Sequence, residues 1–258
     1  MIAITHVPSP RINECELTHA DRVPIDVARA RVQHGAYCDV LRRHGYTVIS
    51  LDVNADEYPD SVFVEDTAVA LDDVAVLMSP GAPSRSGEPV GIVPELKKYL
   101  PVECILPPAT IDGGDVLRVG RTLLVGRTSR TNAAGISALQ AIAGPHGYEV
   151  RGVGVTGCLH LKSACCALPD GRLLVNSSWV VMSDLRGFDC VDIPADEPYA
   201  ANVLLLGNTV LVPAEHPRTA ALIRGLGFPV ETVAISELAK AEGGVTCSSI
   251  LIDHASAR

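Results

Sequence analysis

Aromatic side chains are scarce in this chain, only 4% of 258 residues, with three Phe and one Trp. Any core must therefore be filled by Val, Leu, Ile and Ala, and the 47% hydrophobic share is enough for a substantial one. No apolar run approaches the length that spans a bilayer. The start, Met1 to His6, lacks the basic residues and longer apolar stretch of a signal peptide. A cytoplasmic protein with no membrane partner is expected. Positive charge is also in deficit: 21 Lys and Arg against 30 Asp and Glu leave a net charge of −9. That balance argues against nucleic acid as a partner and is consistent with a cationic ligand.

Eight cysteines are present, but their spacings fit no disulfide framework, so reduced thiols are expected. Cys158 and His160 followed by Cys165-Cys166 lack the paired two-residue spacing of structural zinc sites. No phosphate-binding or dinucleotide glycine pattern follows a strand, and His160 has no HExxH partner. The reading is that no metal and no cofactor are required.

What the chain does have is an internal repeat of hairpin, helix and strand. Hairpin turns fall at Asp72-Asp73, Gly120-Arg121, Pro169-Asp170-Gly171 and Gly207-Asn208. Turns at 72, 120, 170 and 207 are spaced by 48, 50 and 37 residues. Helices are predicted from about Pro24 to His44, near Pro94 to Leu100, through Ile136 to Ala143, around Trp179 to Leu185, and from Pro217 to Leu226. Each repeat leaves its helix at a glycine: His44-Gly45-Tyr46, His146-Gly147-Tyr148, Gly187-Phe188 and Gly227-Phe228. Four units are complete. A fifth forms if the strand Ile250 to Ile252 pairs with the N-terminal strand Ile2 to Val7. The expected fold is α/β, a closed ring of five modules in one catalytic domain over 1–258. An open doubly wound sheet is the runner-up, and the hairpins argue against it.

In such a ring the residues just before each hairpin are equivalent and converge on the axis. Read in turn they are Glu65-Asp66, Asp112-Gly113-Gly114-Asp115, His160, Ala201-Asn202 and Cys247. Each has a bland reading alone: a soluble strand edge, a tight turn, a satisfied core histidine, a small buried hydrophobe. Together they make a catalytic centre the better reading. Cys247, flanked by Thr246, Ser248 and Ser249 at a loop-to-strand junction, suits a reactive thiol. A neighbouring imidazole can protonate a leaving group or activate the sulfur. Carboxylates beside them repel anions and bind a planar cation, and a guanidinium fits that description.

Seven ordered blocks carry a resemblance that covers essentially the whole chain. They are Ile25-Asp26-Val27-Ala28-Arg29-Ala30, Val62-Phe63-Val64-Glu65-Asp66, Pro80 to Arg85, Ile111 to Leu117, Ser129-Arg130-Thr131-Asn132, Leu159 to Ser163 and Thr246-Cys247-Ser248. With these the sequence resembles the dimethylarginine dimethylaminohydrolases, pentein-superfamily enzymes built as a five-bladed α/β propeller. The resemblance implies hydrolysis of dimethylated or monomethylated arginine to citrulline and an amine. It implies Cys247 as nucleophile, His160 as general acid and then base, and Asp112 as its orienting partner. Glu65 and Asp66 would hold the guanidinium, and Arg85 and Arg130 the carboxylate. Asp60 and the main chain at Leu17 and Ala241 would receive the α-amino group, and the segment from Arg11 to Arg22 would be a lid.

Arginine deiminase is the nearest rival but usually carries a helical domain for which this chain has no room. Agmatine deiminase would not need the two arginines. A non-catalytic propeller would have no reason to assemble Cys247, His160 and the acids. The oligomeric state, a homodimer included, stays open.

Overall fold

The computed structural model describes residues 1–253. In chain order its elements are β1 (Ile2–His6), α1 (Val27–Arg43), β2 (Thr47–Leu51), β3 (Ala68–Ala70), β4 (Ala75–Leu77), α2 (Glu88–Leu96) and β5 (Val102–Cys104). Then come β6 (Val116–Val119), β7 (Thr122–Arg127), α3 (Ala133–Ala143), β8 (Glu149–Gly154), α4 (Leu161–Ala164), β9 (Cys165–Ala167), β10 (Leu173–Val175) and β11 (Cys190–Asp192). The last are β12 (Leu204–Leu206), β13 (Thr209–Pro213), α5 (Pro217–Gly225), β14 (Val230–Val233), α6 (Ser236–Ala239) and β15 (Ile250–Ile252).

The strands form five three-stranded sheets of one design. A hairpin supplies two antiparallel strands, as in Val116 opposite Val125, and the following connection lays a third strand parallel to the middle one, as in Thr122 beside Glu149. In one sheet the chain's two ends take the place of the hairpin: β15 pairs antiparallel with β1, Ile2 opposite Ile252, and β2 adds in parallel. The expected pairing of the end strands is thus present. The glycines that close the helices do so for a backbone reason. Gly45 and Gly147 take φ of 84° and 81°, a left-handed turn that a side chain disfavours.

Apolar clusters tie the sheets together in pairs. Ile4 and Ile250 pack with Ala75 and Leu77 of the second sheet. Val76 and Met78 pack with Val116 and Leu123 of the third. Leu117 and Leu124 meet Cys165 and Leu173 of the fourth. Cys166 and Leu174 meet Val210 and Val212 of the fifth. Leu206 and Leu211 meet Ala3 and Tyr37, back at the first. A sixth cluster packs Ile12 and Cys15, in the segment after β1, against Val62, Phe63, Leu238 and Ala241.

Three helix predictions need correction. The first helix starts at Val27, because the Asp26 side chain accepts the Arg29 N–H as an N-cap, and Pro24 lies outside. The second lies earlier than expected, Glu88–Leu96, with Pro94 inside its last turn. Between Trp179 and Leu185 only a 3-10 turn forms, Met182–Leu185; Trp179 stacks edge-on against Tyr199, ring centres 4.9 Å apart. The sequence also hid short helical turns just before three of the hairpins, at Val64–Thr67, Gly113–Asp115 and α4. All eight cysteines, each among the described residues, are free thiols. Among the described residues no helix is long and apolar enough to cross a membrane.

Candidate active site

The short turns before the hairpins bring the predicted residues to one small cavity. Its lining includes Asp60, Asp66, Arg85, Arg130, His160 and Cys247, together with Ala241 and Glu242. Cys247 lies in the turn before β15, where its carbonyl accepts the Glu65 N–H at 3.2 Å, fixing the thiol segment to the acid segment. The Gly244 N–H points at its sulfur from 3.3 Å.

His160 immediately precedes α4 and is held from both ring nitrogens. Nε2 lies 3.0 Å from Asp112 Oδ2, and Nδ1 lies 3.8 Å from Asp66 Oδ1. Asp112 is fully buried and is itself oriented by the Gly81 N–H at 2.8 Å. The double glycine after it has a steric purpose. A Cβ on Gly114 would sit 2.6 Å from His160 Nδ1 and 2.7 Å from Asp66 Oδ1, too close for either to stay. Among the described residues Asp66, Asp112 and His160 also bring one ligand-type atom each within 4.8 Å of one another. Here those atoms are occupied by each other and by Arg85 and main-chain N–H groups.

The two adjacent acids are held differently. Glu65 accepts from Lys162 Nζ at 2.5 Å and Thr246 Oγ1 at 2.8 Å. Asp66 accepts from Arg85 Nη1 at 2.6 Å and the Gly114 N–H at 2.9 Å. Arg85, buried, also donates Nε and Nη2 to Glu88 and Nη2 to the Phe63 carbonyl, so of its five donors one Nη1 hydrogen is left. Arg130 is the opposite case. It is 7% exposed and its Nη1 has no hydrogen-bond partner; the nearest acid, Asp112, is 3.9 Å away.

Charge follows from these contacts. Burial opposes a charged His160, but Asp66, the hydrogen bond to Asp112, and Asp115 outweigh it and raise its pKa to about 9. Burial likewise opposes ionised Asp66, yet His160 and Arg85 hold it down at about 2. Cys247 keeps a little surface open to the cavity while protein surrounds it. Burial first, then Glu65 and Asp66, push its thiol up to about 12. With no ligand, the thiol is neutral and the imidazole charged at neutral pH.

The segment from Arg11 to Arg22 lies closed over this site. The Glu16 N–H donates to Asp60, and the N–H groups of Thr18, His19 and Ala20 all donate to the Glu242 carboxylate, at 2.7, 2.8 and 3.0 Å. Glu242 holds φ of 59°, a left-handed conformation rare for a side-chain-bearing residue. Leu17 packs against the cluster that also touches Cys247. The free volume beneath is about 10 Å³, room for about one water.

Of the predicted site residues, Asp60, Asp66, Arg85, Arg130, His160, Ala241 and Cys247 line the cavity. Asp112 and Glu65 do not line it but are bonded to His160 and to the Cys247 carbonyl respectively, and Leu17 packs on the cluster that also touches Cys247. Sequence reasoning gave no site role to Glu88, Lys162, Thr246 or Glu242, while Asp115 was read only as part of the pre-hairpin Asp112-to-Asp115 group. Lys162 and Thr246 stood inside the matched blocks beside His160 and Cys247; Glu88 gave only its three-residue spacing from Arg85.

No family model matches the chain. A dimethylarginine dimethylaminohydrolase from Streptomyces coelicolor is 41% identical over 250 residues, 96% of this chain and 95% of the relative. Two solved structures superpose with a TM-score of 0.90. One is a dimethylarginine dimethylaminohydrolase, with histidine replaced by glycine, as an adduct with S-methyl-L-thiocitrulline. It is 33% identical and is matched over 96% of this chain and 98% of the other. The second is the Pseudomonas aeruginosa enzyme, with cysteine replaced by serine, complexed with citrulline, 34% identical over 96% and 97%. Sequence identity of this extent, carried across the whole of the fold just described, establishes that the chain belongs to the dimethylarginine dimethylaminohydrolase family.

Proposed function

We propose that this protein hydrolyses Nω,Nω-dimethyl-L-arginine and its monomethyl analogue to L-citrulline plus dimethylamine or methylamine. The observation that carries the reading is one small cavity that holds a thiol, Asp66 and an imidazolium, with Glu65 bonded to the Cys247 carbonyl behind them, together with a buried arginine whose Nη1 has no partner. A molecule with a guanidinium at one end and a carboxylate at the other answers both ends.

The order of events follows from the charges. Glu65 and Asp66 keep the empty site's thiol protonated. A guanidinium held by the same acids offsets their field, so substrate binding itself lowers the thiol's pKa and its proton departs to solvent. The thiolate attacks the guanidinium carbon. His160, already charged, gives its proton to the departing dialkylamine as the C–N bond breaks, leaving a thiouronium on Cys247. The now neutral ring takes a proton from water. The resulting hydroxide attacks the same carbon, the C–S bond breaks, and citrulline leaves with the thiolate and imidazolium restored. The proton left over from the guanidinium accompanies the amine.

Asp112 serves by holding the ring at Nε2, and Arg130 by receiving the carboxylate with the one free Nη1 hydrogen of Arg85 beside it. Asp60, with the main chain at Leu17 and Ala241, receives the α-amino group once the Glu16 N–H yields Asp60. The segment from Arg11 to Arg22 is the lid that keeps bulk water from the thiouronium. We further read the five sheets as blades of one closed propeller forming a single catalytic domain. The apolar clusters that link each sheet to two others, returning to the first, support this. A panel of arginine derivatives tests the function: dimethylamine from the dimethylated substrate is expected, and ammonia from arginine as the dominant product would overturn it.

A further inference from the structure

Four of the five residue groups that precede the hairpins have a part in the chemistry above, and the fifth, at Asn202, has none. We propose that Asn202 is a positioning residue that locks the Cys247 loop to the His160 turn. The proposal rests on the hydrolase reading for its consequence, though not for its geometry.

Asn202 is 5% exposed, and its amide serves neither its own segment nor β12 behind it. Nδ2 donates to the Lys162 carbonyl at 3.0 Å, in the turn that opens with His160. Nδ2 also donates to Thr246 Oγ1 at 3.1 Å, and Oδ1 accepts the Thr246 N–H at 3.1 Å. One amide therefore bridges the segment carrying the acid-base group and the segment carrying the nucleophile. Both of its donors and its acceptor are committed to that bridge.

The contact continues to the sulfur. Gly244 packs so closely on the Asn202 amide that a Cβ there would collide with it, and the Gly244 N–H is the donor aimed at Cys247 Sγ. The amide plate is thus the surface on which the 243–246 loop rests while it presents that N–H. Thr246 Oγ1 passes the same constraint to Glu65, which Lys162 Nζ grips from the His160 side. Removing the amide frees the loop and the turn to drift apart without touching any group that meets substrate. Misplacement by about 1 Å at a reacting centre costs about a hundredfold in rate.

The test compares Asn202→Ala with Asn176→Ala. Asn176 is a similarly buried asparagine whose Nδ2 bonds the Pro198 carbonyl. Asn202→Ala is expected to lower kcat by about 30- to 100-fold with KM within about threefold, since Arg130 and Asp66 are untouched. Alkylation of Cys247 by iodoacetamide, read by peptide mass, is expected to change about tenfold in rate. Asn176→Ala should lose comparable thermal stability and move neither quantity. If Asn202→Ala does not fold, Asn202→Ser, which keeps one polar group, takes its place. Unchanged alkylation, or the same kinetic loss in Asn176→Ala, overturns the proposal. Alkylation needs no turnover, so it judges Asn202 even if methylarginines prove not to be substrates.

Discussion

Arg85 and Glu88, three residues apart, face each other as a buried two-point ion pair: Nε meets Oε1 at 3.0 Å and Nη2 meets Oε2 at 2.8 Å. Arg130, its expected partner in the carboxylate clamp, has no such bond. The two arginines should therefore fail differently. Arg85→Ala strands two buried acids, Glu88 and Asp66, and is expected to destabilise the fold by about 3–5 kcal/mol besides weakening catalysis. Arg130→Ala should leave the thermal midpoint almost unmoved. It should cost about 2–5 kcal/mol in kcat/KM for methylarginines and far less for agmatine-like compounds without a carboxylate. Melting curves and steady-state constants on both substrate types check this; equal losses on the two types would remove Arg130 from the carboxylate.

Cys247→Ser should abolish turnover while leaving the fold intact. A haloacetamidine should label Cys247 ahead of the other seven cysteines, because only this thiol has Glu65 and Asp66 beside it to hold an amidinium. Uniform labelling across the peptides would remove Cys247 as the nucleophile.

His160→Ala should be defective in both halves of the reaction. A substrate with a good leaving group needs no proton donor, so it should restore the first half only. An adduct on Cys247 should then accumulate and be visible by mass spectrometry after acid quench. Full turnover without an adduct would show that another group activates water.

The pH profile has a definite sign. The active form needs the thiolate and the imidazolium together, and the thiol's pKa of about 12 lies above the ring's at about 9. kcat/KM should rise about tenfold per pH unit through neutrality and level off near pH 9, where loss of the imidazolium begins to cancel gain of thiolate. Asp112→Asn removes a carboxylate that supports the charged ring, so its plateau should begin at lower pH. His160 also links pH to stability. Its pKa is raised on folding, so its contribution is complete below the unfolded value of 6.5 and is lost as pH rises through about 9. A profile that falls from pH 6 upward would contradict this ordering.

The closed segment makes a separate prediction. The cavity under this segment has room for about one water-sized molecule, so Thr18, His19 and Ala20 are expected to release Glu242 before substrate enters. Glu242→Gln weakens three charge-assisted bonds, and amide hydrogen exchange at those residues should accelerate roughly tenfold or more. Unchanged exchange would mean the segment is held by its apolar side at Ile12 and Cys15 instead.

Much of this was legible in the chain because the repeat has local causes. Glycine after each helix and a turn within each hairpin are demands of single residues on their own backbone, so Gly45, Gly147 and the four hairpins could be read directly. The pre-hairpin equivalence then gathered Glu65, Asp112, His160 and Cys247 with no contact in view. Long-range partnership escaped. Glu88, three residues on, was the one local hint that Arg85 is held; the Asp66 bond that completes its grip, and the lack of any such partner for Arg130, depend on what the fold brings near. The start of α1 was missed because Pro24 and Asp26 both suit a helix entrance, and only the Asp26 cap is used.

The pairing of β15 with β1 sets the terms on which the thiol is usable. Cys247 stands three residues before β15, and the strand that holds β15 lies at the far end of the sequence, Ile2 opposite Ile252. The longest loop closure in the molecule thus secures the nucleophile, and such contacts are entropically costly and late to form. Chemistry here reports on whether the circuit of the chain has been completed. Mild denaturant that unzips this one seam should silence the enzyme while the other four sheets still keep their spectroscopic signature.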